Sequence, residues 1–376
     1  MGAPVLVGMS GGVDSSVAAA LLVEQGYRVI GITLNVWPEG SGVGVVERED
    51  ACCALGAVED ARRVCDRLNV PHFTVNFRDV FRARVIDNFV QEYRGGRTPN
   101  PCVRCNQFIK FDALLAKAEA LGVDFVATGH YARIGQTRSG RVALLKAADA
   151  RKDQTYVLYV MSQERLRRTI FPLGNLLKEE TRARAEELGL HVAGKPESQE
   201  ICFVPTRDYR DYLREHDPES TREGPIVNER GDVIGRHNGV AFYTVGQRRG
   251  LGVASARPLF VTEIRPASNT VVVGESPSLY RRHAFASGVN WVAIDGLHGP
   301  MRTRARARYK ADEVDATITP YRDGVHVRFD EPQRAITPGQ SIVFYDGDVV
   351  IGGGTLEPSP ENAGDFVGAS VENCRV

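Results

Sequence analysis

No apolar run in this 376-residue chain approaches the roughly 20 residues needed to cross a bilayer, so no membrane-spanning helix is expected. Neither sign of charge is in excess. The 47 basic residues balance 47 acidic ones, so contact with a polyanion has to come from a local patch. There is no low-complexity tract and no internal repeat. The N-terminus lacks a basic region, and its apolar run from Pro4 to Met9 is only strand-length, which argues against a signal peptide. Leu6 stands where a myristoylation motif wants Ser or Thr. Seven cysteines is an odd number without framework spacing, which points to reduced thiols and a cytoplasmic protein.

What the chain does have is 43% hydrophobic and 25% charged residues, the mix of a globular protein, with length for two or three domains. In the first third, strand and helix signals alternate. "APVLVGM", "YRVIGITLNVW", "PHFTVNF" and "VDFVATGHYA" read as strands. "SVAAALLVEQGY" (closed near Gly26), "AVEDARRVCDRLNV", "VFRARVIDNFVQEYRGG" and "FDALLAKAEALG" read as helices, with a cysteine loop before the last. Strands separated by helices imply parallel pairing with right-handed crossovers, hence an α/β doubly wound sheet with ligands beyond the C-terminal strand ends. After about residue 205 short strands between Gly, Asn and Pro turns take over. The expected domains are an α/β domain over 1–205, a small β-rich adaptor over 206–283 and a β-barrel over 284–376.

Residues 8–16, "GMSGGVDSS", follow the first strand and open the first helix. Backbone N–H groups and the positive dipole end meet there, Gly11 and Gly12 admit an anion closely, and the serines add hydroxyls. The stretch has neither the Lys-Ser/Thr of a Walker A loop nor a G-x-G-x-x-G. Asp14 would repel phosphate unless a divalent cation lay between, so a nucleotide here implies Mg²⁺. The loop resembles the SGGxDSS signature of the PP-loop ATP pyrophosphatase superfamily, whose members cleave ATP between the α- and β-phosphates and adenylate a carbonyl oxygen. That resemblance makes Gly8, Met9, Ser10, Gly11, Gly12, Val13, Asp14 and Ser15 a pyrophosphate cradle, with Leu34 an adenine contact and Gly129 a further nucleotide contact.

Two other features carry chemistry. In "TPNPCVRCN", residues 98–106, Cys102 and Cys105 are spaced C-x-x-C in a stretch expected to be extended by Pro99 and Pro101. The spacing by itself suits a metal pair, a redox disulfide or a nucleophile with a helper. Cys202 lies in "SQEICFVP"; Cys65 is expected inside a helix, and Cys52, Cys53 and Cys374 have no comparable setting. In "MRTRARARYK" Arg302, Arg304, Arg306, Arg308 and Lys310 recur at every second residue. On one strand these five cations would share a face and repel, and so ask for a polyanion such as an RNA backbone.

In order, "GMSGGVDSS", "TPNPCVRCN", "ATGHYA", "KDQTYVLY", "FPLG", "ICFV", "YTVGQRRGLG" and "TPGQSIVFY" resemble the bacterial-type tRNA-specific 2-thiouridylases, over residues 5 to about 357. The resemblance implies ATP-dependent thiolation of the wobble uridine at C2 in tRNAs for Lys, Glu and Gln. It makes Cys105 the nucleophile and Cys202 the acceptor of a persulfide from a sulfur-donor protein. It implies tRNA or target-base contacts at Asn100, Pro101, Cys102, His130, Lys152, Asp153, Gln154, Arg308, Tyr309 and Gln340. Some members have Asp where this chain has Cys102, which leaves the role of that residue open. Cys102, Cys105 and Cys202 also resemble the triad that holds a [4Fe–4S] cluster in other tRNA thiolases. A PP-loop ligase for a small metabolite would share the phosphate loop without needing the loop cysteines or the basic strand.

Overall fold

The computed structural model describes residues 2–36, 55–196, 201–204 and 208–358. Cys52, Cys53 and Cys374 lie outside the described residues. In chain order the first elements are β1 (Pro4–Gly8), α1 (Val13–Glu24), β2 (Arg28–Asn35), α2 (Leu55–Arg67), β3 (His72–Asn76) and α3 (Arg78–Phe81). A π-helical turn at Arg82–Ile86 leads to α4 (Asp87–Arg94) and then α5 (Pro101–Cys105). A second π-helical stretch, Asn106–Ala113, joins α5 to α6 (Leu114–Ala120). Then come β4 (Phe125–Ala127), β5 (Arg133–Gln136), β6 (Val142–Leu145), α7 (Thr155–Leu158), α8 (Gln163–Arg167), β7 (Thr169–Ile170) and α9 (Lys178–Glu187).

The chain forms two compact units. The first comprises 1–86, 101–207 and 348–350, and the second 87–100, 208–347 and 351–376. The helix expected across "VFRARVIDNFVQEYRGG" is therefore shared, with α3 and its π-turn in the first unit and α4 in the second.

The first unit is built on a parallel sheet of order β3-β2-β1-β4-β7. Val5, Leu6 and Val7 of β1 are all fully buried, because this central strand is covered on both faces. Val5 and Val7 pack with Val17, Ala18, Val64 and Cys65 on one side. Leu6 packs with Ile32, Leu114 and Val126 on the other. Strand order reverses at β1, with β2 on one side and β4 on the other, which opens the crevice beyond their C-terminal ends. Helix α1 starts after Gly12 and stops where Gly26, at φ +84°, takes the left-handed conformation.

One local expectation is corrected. The cysteine stretch is helical from Pro101, not an extended loop. Pro is well tolerated in the first turn of a helix, where its missing N–H would have had no partner and its φ is already helical. Two prolines in "PNP" read as a break, and the second of them starts a helix.

The second unit packs α4 on α10 (Tyr209–His216) through Phe89, Tyr93 and Tyr209, with the two tyrosine rings stacked 4.7 Å apart. β8 (Gly224–Asn228), β9 (Val233–His237), β10 (Phe260–Arg265) and β11 (Thr270–Gly274) form a four-stranded sheet of order β10-β11-β8-β9. The remaining strands are β12 (Tyr280–Trp291), β13 (Met301–Arg306), β14 (Val314–Tyr321), β15 (Gly324–Arg334), β16 (Ser341–Asp346) and β17 (Val349–Glu357). They run in the order β12-β15-β14-β13-β16-β17, and β12 pairs with β17 to close a six-stranded barrel. Closure removes sheet edges, and Ala305, Ile318, Val327, Phe329 and Phe344 fill the inside.

Candidate active site

Hydrogen bonds within the chain hold the phosphate loop in shape. At its start the Met9 N–H donates to the Ile32 carbonyl (2.8 Å), and Thr33 Oγ1 donates to the Met9 carbonyl (3.0 Å). Ser15 Oγ accepts from the Ser10 N–H (3.1 Å), and Ser16 Oγ donates to the Gly12 carbonyl (2.8 Å), so the serines tie loop to helix. Gly11 sits at φ +67°, and a Cβ there would lie 2.2 Å from the Ala57 carbonyl oxygen, which no side chain can tolerate. Gly129, just beyond β4, meets the same loop from the other side. A Cβ on it would come within 2.6 Å of Asp14 C and Ser15 N, so the glycine lets the "TGH" turn rest on the first turn of α1. Leu34 lies near the end of β2, half-buried against the Leu6 face of the sheet.

Asp14 is paired within the chain. Its Oδ1 accepts from Lys178 Nζ at 2.6 Å and from the Tyr131 hydroxyl at 3.0 Å. Lys178, at the start of α9, is buried, and its backbone N–H donates to the buried Asp149 carboxylate at 3.1 Å. A protein ammonium is thus one counter-charge of Asp14, beside any divalent cation that accompanies a nucleotide. No local pattern points to Lys178 or Tyr131, because 164 and 117 residues separate them from Asp14.

His130 is buried between Phe111 and Phe171. Nδ1 lies 2.7 Å from Thr128 Oγ1, and Nε2 lies 3.4 Å from Lys110 Nζ. Burial, and then the Lys110 charge, hold its pKa well below the ordinary imidazole value, so it is neutral at pH 7.

Cys102 is exposed and Cys105 half-buried on α5, and Cys202 is half-buried in the segment 201–204. Phe203, next to Cys202, packs edge-on against Phe81 of α3 (5.8 Å between centroids). The π-turn that continues α3 packs in turn on α5. Arg84 of that turn and Arg104 of α5 both lie over the Phe108 ring, at 5.3 and 5.4 Å, which brings two guanidinium groups to the cysteine helix. Cys65 is buried, and burial followed by the Asp66 charge pushes its thiol up to about 12, which makes it inert at neutral pH. Among the described residues no group of three or more His, Cys, Asp or Glu side chains is arranged to hold a metal ion.

The residues matched to tRNA contacts have varied settings. Asp153 is buried, and its carboxylate accepts from the Thr155 hydroxyl (2.7 Å) and the Ala147 N–H (3.2 Å). Gln154 Oε1 accepts from the Tyr131 N–H at 2.8 Å, and Lys152 is half-buried. Gln340 Nε2 donates to the carbonyls of Thr98 (2.8 Å) and Pro99 (3.2 Å), so it holds the segment that ends at Asn100 in the second unit. The basic strand is corrected. β13 ends at Arg306, and Arg308, Tyr309 and Lys310 are exposed in the turn beyond it. Arg302 makes a bidentate pair with Asp330 (2.7 Å for both bonds), and Arg304 and Arg306 pair with Glu313. Two acids on neighbouring segments, invisible to a two-residue period, thus pair with the three strand arginines, Glu313 being shared by two of them.

A parallel sheet that delivers a Gly/Ser loop to a helix N-terminus at its point of strand reversal defines a nucleotide-binding domain of the PP-loop kind. Family models match in the same order along the chain. These are a tRNA methyl transferase HUP domain over 3–206, a tRNA methyl transferase PRC-barrel domain over 210–275 and an aminomethyltransferase beta-barrel domain over 281–356. The tRNA-specific 2-thiouridylase MnmA of Symbiobacterium thermophilum is 54% identical over 94% of this chain and 92% of its own. That of Acetivibrio thermocellus is 50% identical over 94% of this chain and 99% of its own. The one from Heliobacterium modesticaldum is 54% identical over 94% and 92%. The chain belongs to the tRNA-specific 2-thiouridylase family.

Proposed function

We propose that this chain is an ATP-dependent tRNA uridine 2-sulfurtransferase. The observation that carries the reading is end-to-end similarity, at 48–54% identity, to proteins named tRNA-specific 2-thiouridylase. The shaped phosphate loop supports it. ATP, entering as its Mg²⁺ complex, lays its pyrophosphate on the loop from Gly8 to Ser15, with the adenine toward Leu34 and Gly129. The C2 oxygen of the wobble uridine attacks the α-phosphorus, the Pα–O bond to the β-phosphate breaks, and pyrophosphate leaves. The resulting O-adenylate makes AMP a good leaving group at C2.

Sulfur then arrives as a persulfide on Cys202, loaded by a donor protein. Its outer sulfur attacks C2, a C–S bond forms, and the C–O bond to AMP breaks. The Cys105 thiolate, having given up its proton, attacks the inner sulfur. A Cys105–Cys202 disulfide forms, and the S–S electron pair stays with the new thiocarbonyl. A dithiol reductant returns the two electrons that restore both thiols. Cys102, Asn100 and Pro101 meet the target base, and His130, Lys152, Asp153, Gln154, Arg308, Tyr309 and Gln340 line or support the tRNA path. The α/β domain, the adaptor and the barrel divide nucleotide chemistry from RNA binding, in a reducing cytoplasm that suits the thiols.

The test uses unmodified tRNA, MgATP and a persulfide donor, with the product nucleosides resolved by mass. Exchange of oxygen for sulfur at C2 is expected. Cys105→Ser and Cys202→Ser should each lower that product by about 100-fold or more while pyrophosphate release persists. A methylated nucleoside, or full thiolation by either variant, would sink the assignment. ATP–pyrophosphate exchange indifferent to tRNA would point instead to a small-metabolite ligase.

A further inference from the structure

A second lysine reaches the phosphate loop, and neither the sequence motifs nor the reaction above uses it. Lys195 Nζ donates to the Gly11 carbonyl at 3.2 Å and to Asp60 Oδ2 at 2.7 Å. The other oxygen of Asp60, on α2, lies 2.9 Å from His191 Nε2. The base of the lysine is fixed as well. Its N–H donates to the Val192 carbonyl (3.0 Å), and Arg182 of α9 bridges the carbonyls of Ala193 (2.9 Å) and Lys195 (3.4 Å). Partial burial works to raise the Asp60 pKa, but hydrogen bonds and charge from Lys195 and His191 outweigh it and hold the carboxyl below its usual range.

A solvated surface lysine would have no such frame. Here the ammonium spans from α2 to the left-handed Gly11, where the loop presses against the Ala57 carbonyl. In a trans peptide the C=O of one residue and the N–H of the next point in opposite directions. A cation fixed on the Gly11 carbonyl therefore turns the Gly12 N–H away from itself, at the start of α1, where the helix end favours an anion.

We propose that Lys195 is a positioning residue of the phosphate loop. It sets the Gly11–Gly12 peptide so that the Gly12 N–H is presented to the pyrophosphate of ATP, and Asp60 keeps the ammonium at that post. The proposal rests on the loop being the pyrophosphate site. Its readouts are the KM for ATP in tRNA-dependent ATP–pyrophosphate exchange and the inhibition constant of pyrophosphate alone, with the thermal midpoint taken alongside. Lys195→Met should raise both constants by about tenfold, kcat changing by less than about threefold. Lys195→Arg should recover part of the loss. Asp60→Asn should shift the constants the same way by a smaller factor, and the double variant should be no worse than Lys195→Met, because both act through one contact. ATP and pyrophosphate constants within about twofold of wild type in Lys195→Met, or additive effects in the double variant, would overturn the proposal. Should Lys195→Met fail to fold, Asp60→Asn decides by the same two constants. A wild-type enzyme that pyrophosphate does not inhibit removes the loop reading itself, and the proposal with it.

Discussion

At the scale of single residues, the Asp14–Lys178 pair marks where charge is balanced in the phosphate loop. Lys178 is buried and Asp14 is one-third exposed, so loss of the lysine leaves the Asp14 carboxylate without its ion-pair partner at the loop. Lys178→Met should lower tRNA-dependent ATP–pyrophosphate exchange by about 100-fold or more while tRNA affinity holds. Exchange at wild-type rate would show that Asp14 needs no protein counter-charge. At the same scale, two motif residues have no room for a side chain. Gly11 and Gly129 are required by backbone from α2 and from α1 that a Cβ would enter, and neither neighbour is close in sequence.

At the scale of elements, the barrel strands β12 and β15 bring His283 and His326 into a stacked pair, Nδ1 of the first 2.9 Å from Nε2 of the second. Burial, then the His283 and Arg328 charges, push His326 down to about 4 from 6.5. Burial, then the charges of Arg328 and Arg282, lower His283 as well. The unfolded chain takes up the proton first, so this contribution to stability is complete above about pH 6.5 and is lost as pH falls toward 4. From His326 its full size is on the order of 3 kcal/mol. Urea unfolding at pH 5 and pH 7.5 should show the wild type losing stability in acid, and His326→Gln losing about 1–2 kcal/mol less. An identical acid loss in both would remove the histidine pair as its cause. The strand β13 carries the opposite lesson for charge, since its arginines are spent on Asp330 and Glu313.

At the scale of the whole molecule, zero net charge leaves RNA binding to local cations. Arg308 is exposed beyond β13, whereas Arg302 is held by Asp330. Arg308→Ala should therefore weaken tRNA binding and reduce the slope of log affinity against log salt by about 1, with Arg302→Ala leaving the slope unchanged. Equal slopes for Arg308→Ala and wild type would move the contact elsewhere.

Much of this molecule was legible along the chain. The phosphate loop, the parallel α/β order and the change to β structure follow from local patterns, because a strand, a glycine turn and a helix cap are each written in adjacent residues. The helical start at Pro101 is not legible, because a proline signals both a break and a first turn. Long-range polar partners carry no local signal. Lys178 on Asp14 and Gln340 on the Thr98 carbonyl are pairings across 164 and 242 residues, set by how strands and helices stack and not by any period. Adjacent residues specify most of the elements and the phosphate loop, because those patterns are local. Which distant side chains meet is set by packing, which no local pattern records.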